Sequence, residues 1–433
     1  MAKHYIQDRK QITLHNMKPK VIIIGAGISG LSAALHLHRQ GFSVKIIEAS
    51  DRPGGRIKTD MVEGFRLDRG FQVLLTSYPE AQSLLNYEAL QLKTFLPGAT
   101  VLYDGGQFDL ADPFRRPSAA ISTVLAPVGS LKDKINTFVL KQKLLGKSIQ
   151  KIFSQEQQSS LAQLSDYGFS AKMISRFYKP FFSGIFLENE LSTPNRMFDF
   201  VMKMFSEGDA AIPALGMEEI SKQLTGQLPS DAFMFHTNVT AIQDTTIVTS
   251  EGLEITSDVI VIATEANALL SKHKENAITE HHSVTNVYFQ ATVAPSDQAV
   301  VILNASENKQ WVNNLTVMTN ISKAYAPEGK VLISVSCNGA NDFSDAEWSQ
   351  NIKEELRPWF GNQVENWSHL KTYTIAYALP KLPVLQDEVS ESELKLALNL
   401  YCCGDYLLNG SINAAMKSGR LVANLIASEY GKK

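Results

Sequence analysis

The chain has 433 residues, of which 44% are hydrophobic and 20% are charged, and its formal net charge is −3. This length can form two or more domains with large cores, and the composition is that of a globular protein. A nearly balanced charge gives no general attraction to polyanions, so we predict no nucleic-acid partner.

The cysteines and the first residues indicate a cellular compartment. Cys337, Cys402 and Cys403 form no even disulfide framework and have no metal-ligand spacing. They are typical of reduced core residues, so we predict a cytoplasmic protein without a metal site. Residues 1–19 form a polar, basic tail that lacks the apolar segment of a secretory signal.

A βαβ unit is predicted at residues 21–48. An apolar, β-branched run at 21–24 leads into a Gly-x-Gly-x-x-Gly motif, a helical segment at 31–40 and a second β-branched run that ends at Glu48. The motif consists of Gly25, Gly27 and Gly30. In such a unit the first glycine allows the turn, the second lets the backbone approach a pyrophosphate, and the third lets the helix pack on the strand. Because the acid that binds ribose hydroxyls is also present, the pattern predicts a dinucleotide site.

Two further motifs favour FAD over NAD. Gly54-Gly55-Arg56 directly follows the ribose acid, where Arg56 could supply a fixed cation for a phosphate. Near the other end, a strand at 400–403 leads into Gly404-Asp405, a loop, and a small-residue helix start at 410–415. Asp405 could hold a ribityl hydroxyl, and the helix start could face a flavin carbonyl.

These motifs together resemble the FAD-dependent superfamily of flavin amine oxidases, protoporphyrinogen oxidases and phytoene desaturases. The matching segments occur in the family's order at 25–30, 48, 54–59, 64–71, 259–264 and 404–419. The resemblance implies an α/β fold in which a Rossmann-type FAD-binding domain is interleaved with a mixed-sheet and helical substrate domain.

The resemblance also implies the cofactor and its ligands. FAD is expected to bind without a covalent bond. The implied FAD-binding residues are Gly25, Gly27, Ile28, Ser29, Gly30, Glu48, Ala49, Gly55, Arg56, Gly70, Phe71, Gln72, Val239, Gly404, Asp405, Ser411, Ile412 and Ala415. No catalytic acid or base is assigned, because flavin chemistry needs few protein acids or bases.

The expected domains are discontinuous. Residues 20–75, 206–266 and 392–430 are expected to form the FAD-binding domain, and 76–205 and 267–391 the substrate-binding domain. The first insert has a mostly helical pattern, and the second contains strand-like runs at 284–291, 299–303, 331–337 and 372–377.

Two departures from the amine oxidases bear on the substrate. Those enzymes place an aromatic residue after the glycine of the last motif, where this chain has Gly410-Ser411-Ile412. They also carry a lysine that is bonded through water to the flavin, and alignment by eye puts Asn286 at that position. The segment from Gly410-Ser411-Ile412 to Ser418-Gly419 looks more like that of the carotenoid desaturases.

Three functions therefore remain open. The first is an FAD-dependent oxidoreductase that dehydrogenates or isomerises a hydrophobic small molecule, such as a polyene or other isoprenoid. The second is a flavin oxidase of the amine or porphyrinogen type. The third is a flavin-binding protein without turnover. The residues do not identify the electron acceptor.

Two segments allow alternative interpretations. The aromatic stretch 176–187 resembles desaturase-like members and could line an apolar channel or pack a core. Residues 131–149 form a basic amphipathic helix with Leu131, Ile135, Phe138, Leu145 and Ile149 on one stripe. That helix could contact a membrane peripherally, or it could be a solvated helix lying over a domain core.

Overall fold

The computed structural model describes residues 18–265 and 269–431. All but the last residues of the predicted basic tail, and the predicted domain boundary at 266–267, lie outside the described residues. In chain order the strands are β1 Lys20–Ile24, β2 Ser43–Ile47, β3 Thr59–Val62, β4 Phe65–Asp68, β5 Leu74–Leu75, β6 Lys93–Thr94, β7 Gly98–Tyr103, β8 Gly106–Ala111, β9 Ala210–Ile212, β10 Phe233–Met234, β11 Val239–Gln243, β12 Thr246–Thr249, β13 Glu254–Thr256, β14 Val259–Ile262, β15 His281–Ala291, β16 Val301–Asn304, β17 Val312–Val317, β18 Val331–Asn338, β19 Ser368–Pro380, β20 Lys395–Ala397 and β21 Leu400–Cys402.

The helices vary from single turns to nineteen residues. In chain order they are α1 Ile28–Arg39, α2 Pro79–Leu84, α3 Tyr87–Leu90, α4 Ala120–Leu125, α5 Leu131–Leu145, α6 Ile149–Phe153, α7 Ser160–Asp166, α8 Ala171–Met173, α9 Lys179–Phe186, α10 Asn195–Glu207, α11 Glu218–Thr225, α12 Met318–Ile321, α13 Asp345–Phe360, α14 Glu391–Leu394 and α15 Ile412–Tyr430. A π-helical turn at Ile174–Tyr178 precedes α9. In the part of the chain that the structure describes, no helix has the length and apolar character needed to cross a membrane.

The chain divides into two compact units. The first contains the described residues of 18–55, 220–279 and 388–431. Its main sheet has the order β10-β2-β1-β14-β21-β20, in which only the edge strand β20 runs antiparallel to its neighbour. All four residues of β14 are buried, which fits a parallel sheet that is covered on both faces. A separate three-stranded meander consists of β11, β12 and β13.

The second unit contains residues 56–219 and 280–387. Its seven-stranded mixed sheet has the order β19-β15-β18-β17-β16-β7-β8, and β16 pairs in parallel with β7. Helix α13 covers this sheet with Trp348, Ile352, Leu356 and Phe360, whose spacing puts them on one helical face. The two sheets confirm the predicted α/β fold class.

The observed units differ from the predicted domains in a few segments. Residues 56–75 and 206–219, which were assigned to the FAD-binding domain, lie in the second unit. There Asp68 accepts hydrogen bonds from Tyr325 and from the backbone of Met217. Residues 269–279 and 388–391 lie in the first unit, where Lys274 Nζ donates to Glu393 O at 3.0 Å. The assignment of one unit to the cofactor and the other to the substrate stays a prediction.

Candidate functional site

Three loops of the first unit meet at the carboxyl ends of neighbouring parallel strands. Ile24 of β1 pairs with Ile262 of β14, which pairs with Cys402 of β21. The residues that follow these strands therefore lie side by side. Strand β1 also has β2 on one side and β14 on the other. Ligands of open α/β sheets bind at such switch points, outside the carboxyl ends of the strands.

The three motif glycines have different surroundings. Gly25 has φ +107°, and a methyl group added there would lie 2.9 Å from Ala263 O. A methyl group at Gly30 would lie 2.1 Å from Gly25 O, so this glycine is required by the packing of α1. At Gly27 an added methyl group meets no non-adjacent atom of the described residues within 4 Å. Gly27 therefore borders open space at the start of α1.

The N-terminus of α1 is suited to an anion. Gly27 is the N-cap residue and offers no side chain to the first backbone N–H groups, and no acidic residue lies in the first turn, which begins with Ile28, Ser29 and Gly30. Unsatisfied N–H groups and the positive end of the helix dipole attract phosphate.

Glu48 braces the glycine loop from the end of β2. Its Oε2 accepts a hydrogen bond from Ala26 N at 2.7 Å, and its Oε1 accepts from Ser50 N at 2.9 Å and from Ser50 Oγ at 2.5 Å. A carboxylate has about four acceptor positions, so one remains for a ribose hydroxyl. Glu48 O accepts from Thr237 N, which places the start of β11, with the buried Val239, close to Glu48 and Ala49.

The Gly-Gly segment runs beside the glycine loop. Gly54 N donates to Ala26 O at 2.9 Å, and a methyl group added at Gly55 would lie 3.1 Å from Gly27 Cα. Gly55 has φ +60°, which an L-residue rarely adopts. The two loops approach this closely because both carry glycine at the point of contact.

The second motif starts another helix at the same edge of the sheet. Asp405 follows Gly404 and is buried. Its backbone carbonyl accepts a hydrogen bond from Gly410 N at 3.1 Å. Ser411 caps α15 by accepting from Ala414 N at 3.0 Å, so Ile412 and Ala415 lie in the first turn of that helix. No acidic residue lies in this turn. Ser32 Oγ donates to Met416 O at 2.8 Å, which ties α15 to α1.

Thr264 is a candidate site residue that was not among those predicted from the sequence. Its hydroxyl is buried and has no hydrogen-bond partner among the residues that the structure describes. It follows β14, and its nitrogen lies 3.3 Å from a methyl group added at Gly25. The sequence signal that could have identified Thr264 is its position directly after the apolar run at 259–263. A bound dinucleotide fits three features of this edge. They are the open space at Gly27, the two helix N-termini without acidic residues in the first turn, and the Thr264 hydroxyl without a partner among the described residues.

The thiols at this edge are buried. Desolvation raises the pKa of Cys402 to about 11, and it also raises the pKa of Cys403. Both thiols are therefore protonated at neutral pH and are poor nucleophiles.

Four of the predicted FAD-binding residues lie in the second unit. Gln72 Nε2 donates to Arg56 O at 3.0 Å, and an Arg56 guanidinium nitrogen donates to Ala378 O at 3.2 Å. Gly70 has φ +93° and approaches the side chain of Ile375. Phe71 packs edge-to-face on Phe95. Their contact with the cofactor stays a prediction.

Asn286 lies on β15, between β19 and β18 of the mixed sheet, and is fully buried. Its Nδ2 donates to Ser334 Oγ at 3.1 Å, and its Oδ1 accepts from Ser336 Oγ at 2.9 Å. The amide is thus held by two serines of the neighbouring strand. A neutral amide fixed in this way cannot reproduce the charge and reach of a lysine.

A buried carboxyl group lies close to this strand. Tyr288 Oη donates to Asp68 O at 2.8 Å, while Thr59 Oγ1 and Tyr325 Oη donate to the Asp68 carboxylate at 2.6 and 2.8 Å. Burial raises the pKa of Asp68 to about 6, although these hydrogen bonds oppose the shift. The network ties the β3–β4 hairpin to the mixed sheet.

The aromatic stretch 176–187 contributes mainly to a core. Tyr178, Phe182 and Phe186 are buried, and the Phe182 and Phe198 ring centroids are 4.5 Å apart. Phe177 and Phe181 are half-buried and stack on each other. Of the two interpretations of this stretch, the packing of its central rings favours the core.

The sequence profile described as flavin containing amine oxidoreductase matches residues 28–427. The chain belongs to this family. The match confirms the predicted superfamily, the oxidoreductase class and FAD as cofactor.

Individual relatives cover several substrate classes. The chain is 27% identical over 169 residues to protoporphyrinogen oxidase 2 of Arabidopsis thaliana, which is 38% of this chain and 32% of that protein. It is 29% identical over 123 residues to a phytoene desaturase of Fusarium fujikuroi, which is 27% of this chain and 22% of the relative. Both matches thus span a third or less of the relative's length.

The fold is shared with solved structures. Cyclohexylamine oxidase from Brevibacterium oxydans superposes with a TM-score of 0.67 at 16% identity, over 96% of this chain and 100% of that one. At this identity the similarity shows the fold alone.

Replacement of Glu48 tests its predicted contact with the ribose. We expect Glu48→Ala to weaken FAD binding about tenfold to hundredfold, because a hydrogen bond to a charged group contributes roughly 1.5–3 kcal/mol. Titration of the apoprotein with FAD, followed by flavin fluorescence, measures this affinity. Glu48→Gln is the matched control, since it keeps an acceptor oxygen and should lose less. Wild-type affinity in Glu48→Ala would place the ribose elsewhere.

Proposed function

We propose that this protein uses non-covalently bound FAD to dehydrogenate or isomerise a hydrophobic small molecule, of the polyene or isoprenoid class. The observation that carries the proposal is the burial and hydrogen bonding of Asn286. It stands at the position aligned with the amine oxidase lysine, and it is fully buried and bonded to Ser334 and Ser336. The absence of an aromatic residue after Gly410 points in the same direction.

The first unit would hold the cofactor. The starts of α1 and α15 would face its phosphates and its flavin ring, Glu48 would bind a ribose hydroxyl, and Asp405 a ribityl hydroxyl. When bound, FAD supplies the acceptor for a hydride equivalent. The buried, protonated thiols of Cys402 and Cys403 support non-covalent binding.

The second unit would contribute the substrate's surroundings. Arg56 and Gln72 are joined there by a hydrogen bond from Gln72 Nε2 to Arg56 O, and Gly70 and Phe71 directly precede Gln72. Their role would be to orient the substrate and exclude water. Burial of apolar surface favours the binding of an apolar substrate, and the loss of its freedom of motion opposes binding.

Oxidation of a porphyrinogen is the second candidate. It is favoured by the 27% identity over 169 residues to a protoporphyrinogen oxidase, a longer match than that to the phytoene desaturase. A porphyrinogen is also large and largely apolar, so Asn286 does not discriminate between these two candidates.

Anaerobic mixing of the holoprotein with substrates separates these functions. We expect simple amines such as cyclohexylamine or putrescine to bleach the flavin band at least about a hundredfold more slowly than a solubilised polyene, because misplacement of the reacting bond alone costs about that factor. Dithionite reduction is the control for a reducible flavin. Rapid bleaching by an amine would restore the amine oxidase alternative, and bleaching by protoporphyrinogen alone would establish the second candidate. A flavin that only dithionite reduces would indicate a protein without turnover.

A further inference from the structure

Large apolar side chains are exposed on one stretch of the second unit. Between residues 114 and 139, eight of them are at least 40% exposed. They are Phe114, Ile121, Val124, Leu125, Leu131, Ile135, Phe138 and Val139, and we call them the 114–139 surface. Single exposed apolar residues are common, but a concentration of this kind marks an interaction site.

Side-chain contacts join these residues into one surface. The rings of Phe114 and Phe138 stack with centroids 5.0 Å apart. Lys134 Nζ of α5 donates to Val124 O and to Ala126 O at the end of α4. These contacts hold α4 and α5 side by side, with their exposed residues in one continuous area.

Helix α5 has apolar residues on two opposite faces. At 100° per residue, Leu131, Ile135, Phe138 and Val139 fall within an arc of about 100°. Leu140 and Leu144 lie on the opposite side and are buried. The outer stripe is therefore not the face that packs on the core, which is where an apolar stripe of a globular protein is normally found.

Basic residues flank the exposed stripe on both sides. The helical positions of Lys132 and Lys143 lie along one edge, and those of Lys134 and Lys141 along the other. Seven lysines and arginines lie between residues 112 and 147, against the two acids Asp112 and Asp133. Asp133 is buried and accepts hydrogen bonds from Ser130 and Ser170. Asp112 pairs with Lys141, and Arg115 and Lys147 pair with Asp209 and Asp199. The positive charge beside the stripe therefore comes mainly from Lys132, Lys134 and Lys143.

We propose that the 114–139 surface docks onto an anionic lipid bilayer, with α5 lying in the plane of the interface. An apolar stripe bordered by lysines is the pattern of an interfacial helix, whose apolar residues enter the acyl region while its basic residues contact lipid phosphates. A second copy of the chain fits less well, because a two-fold contact would bring the basic edges of both copies together. The proposal does not depend on which substrate the enzyme uses.

Cosedimentation of the holoprotein with vesicles tests the docking surface. We expect binding to vesicles that contain phosphatidylglycerol, about tenfold or more weaker binding to phosphatidylcholine vesicles, and release by high salt. The variant Leu125→Asp/Leu131→Asp should lose the binding about tenfold or more, since both replaced side chains are exposed and contact the acyl region in the proposed orientation. An unchanged circular dichroism spectrum, together with retained FAD absorbance, shows that the variant is folded.

Leu398→Asp is the matched control, because Leu398 is 79% exposed and belongs to the first unit. It should bind vesicles as the wild type does. Equal binding by the double variant and the wild type, or no binding of the wild type to anionic vesicles, would overturn the proposal. A wild-type dimer that the double variant converts to monomers without lipid would overturn it in favour of self-association.

Discussion

A Gly27→Val variant is expected to lose FAD binding while its apoprotein stays folded. Gly27 has φ −70° and ψ 176°, an extended conformation that valine adopts readily. A Cβ atom at this position would meet no non-adjacent atom of the described residues within 4 Å. In a dinucleotide site this is where the pyrophosphate approaches the backbone, so FAD and the valine side chain would compete for the same volume.

We expect the affinity for FAD to fall at least about a hundredfold, equivalent to roughly 2.7 kcal/mol. Titration of the apoprotein with FAD gives the affinity, and circular dichroism of the apoprotein tests its folding. Gly30→Val is the informative partner, because its Cβ would lie 2.1 Å from Gly25 O and should disrupt the fold itself. If Gly27→Val binds FAD as tightly as the wild type, the proposed phosphate position is wrong.

The second large effect is expected from Phe182→Ala, in the aromatic core of the second unit. Phe182 is fully buried and packs against Tyr178, Phe186 and Phe198. Removal of a buried phenylalanine ring costs about 3–5 kcal/mol of unfolding free energy, because a cavity remains where the ring was. Denaturant unfolding of the holoprotein, followed by circular dichroism, measures this loss.

The half-buried Phe181 provides the comparison for this variant. It stacks on Phe177 and contacts Phe182 edge-on, so Phe181→Ala should lose clearly less stability than Phe182→Ala. Equal stability of Phe182→Ala and the wild type would show that this ring does not support the core. The channel interpretation of residues 176–187 would then have to be reconsidered.

The βαβ unit and its glycine loop could be predicted because their determinants are local. The positive φ of Gly25, the close contact at Gly30 and the acid at the end of β2 all lie within one short segment. Each of these requirements restricts its position to one type of residue, which can be recognised in the sequence. The second motif was predictable for the same reason, since Ser411 is a helix cap that directly precedes the helix it serves.

Features that depend on distant partners could not be predicted in this way. Strands β7 and β8 lie in the segment that was expected to be mostly helical, and β7 finds its parallel partner β16 about two hundred residues later. The Asp68 network joins four separate segments through Thr59, Met217, Tyr288 and Tyr325. Hydrophobic periodicity likewise revealed the stripe on α5 but not that it faces outward, because periodicity does not distinguish the two sides of a helix.

The parallel sheet of the first unit has a consequence for biosynthesis. Strands β1 and β2 emerge from the ribosome early, yet β1 pairs with β14, and β14 pairs with β21, more than 370 residues after β1. Helix α15, which packs on α1, is made later still. Domains generally fold as units, so the sheet that carries the glycine motif cannot be completed before β21 is translated. The glycine motif is therefore translated well before the strands that complete its sheet.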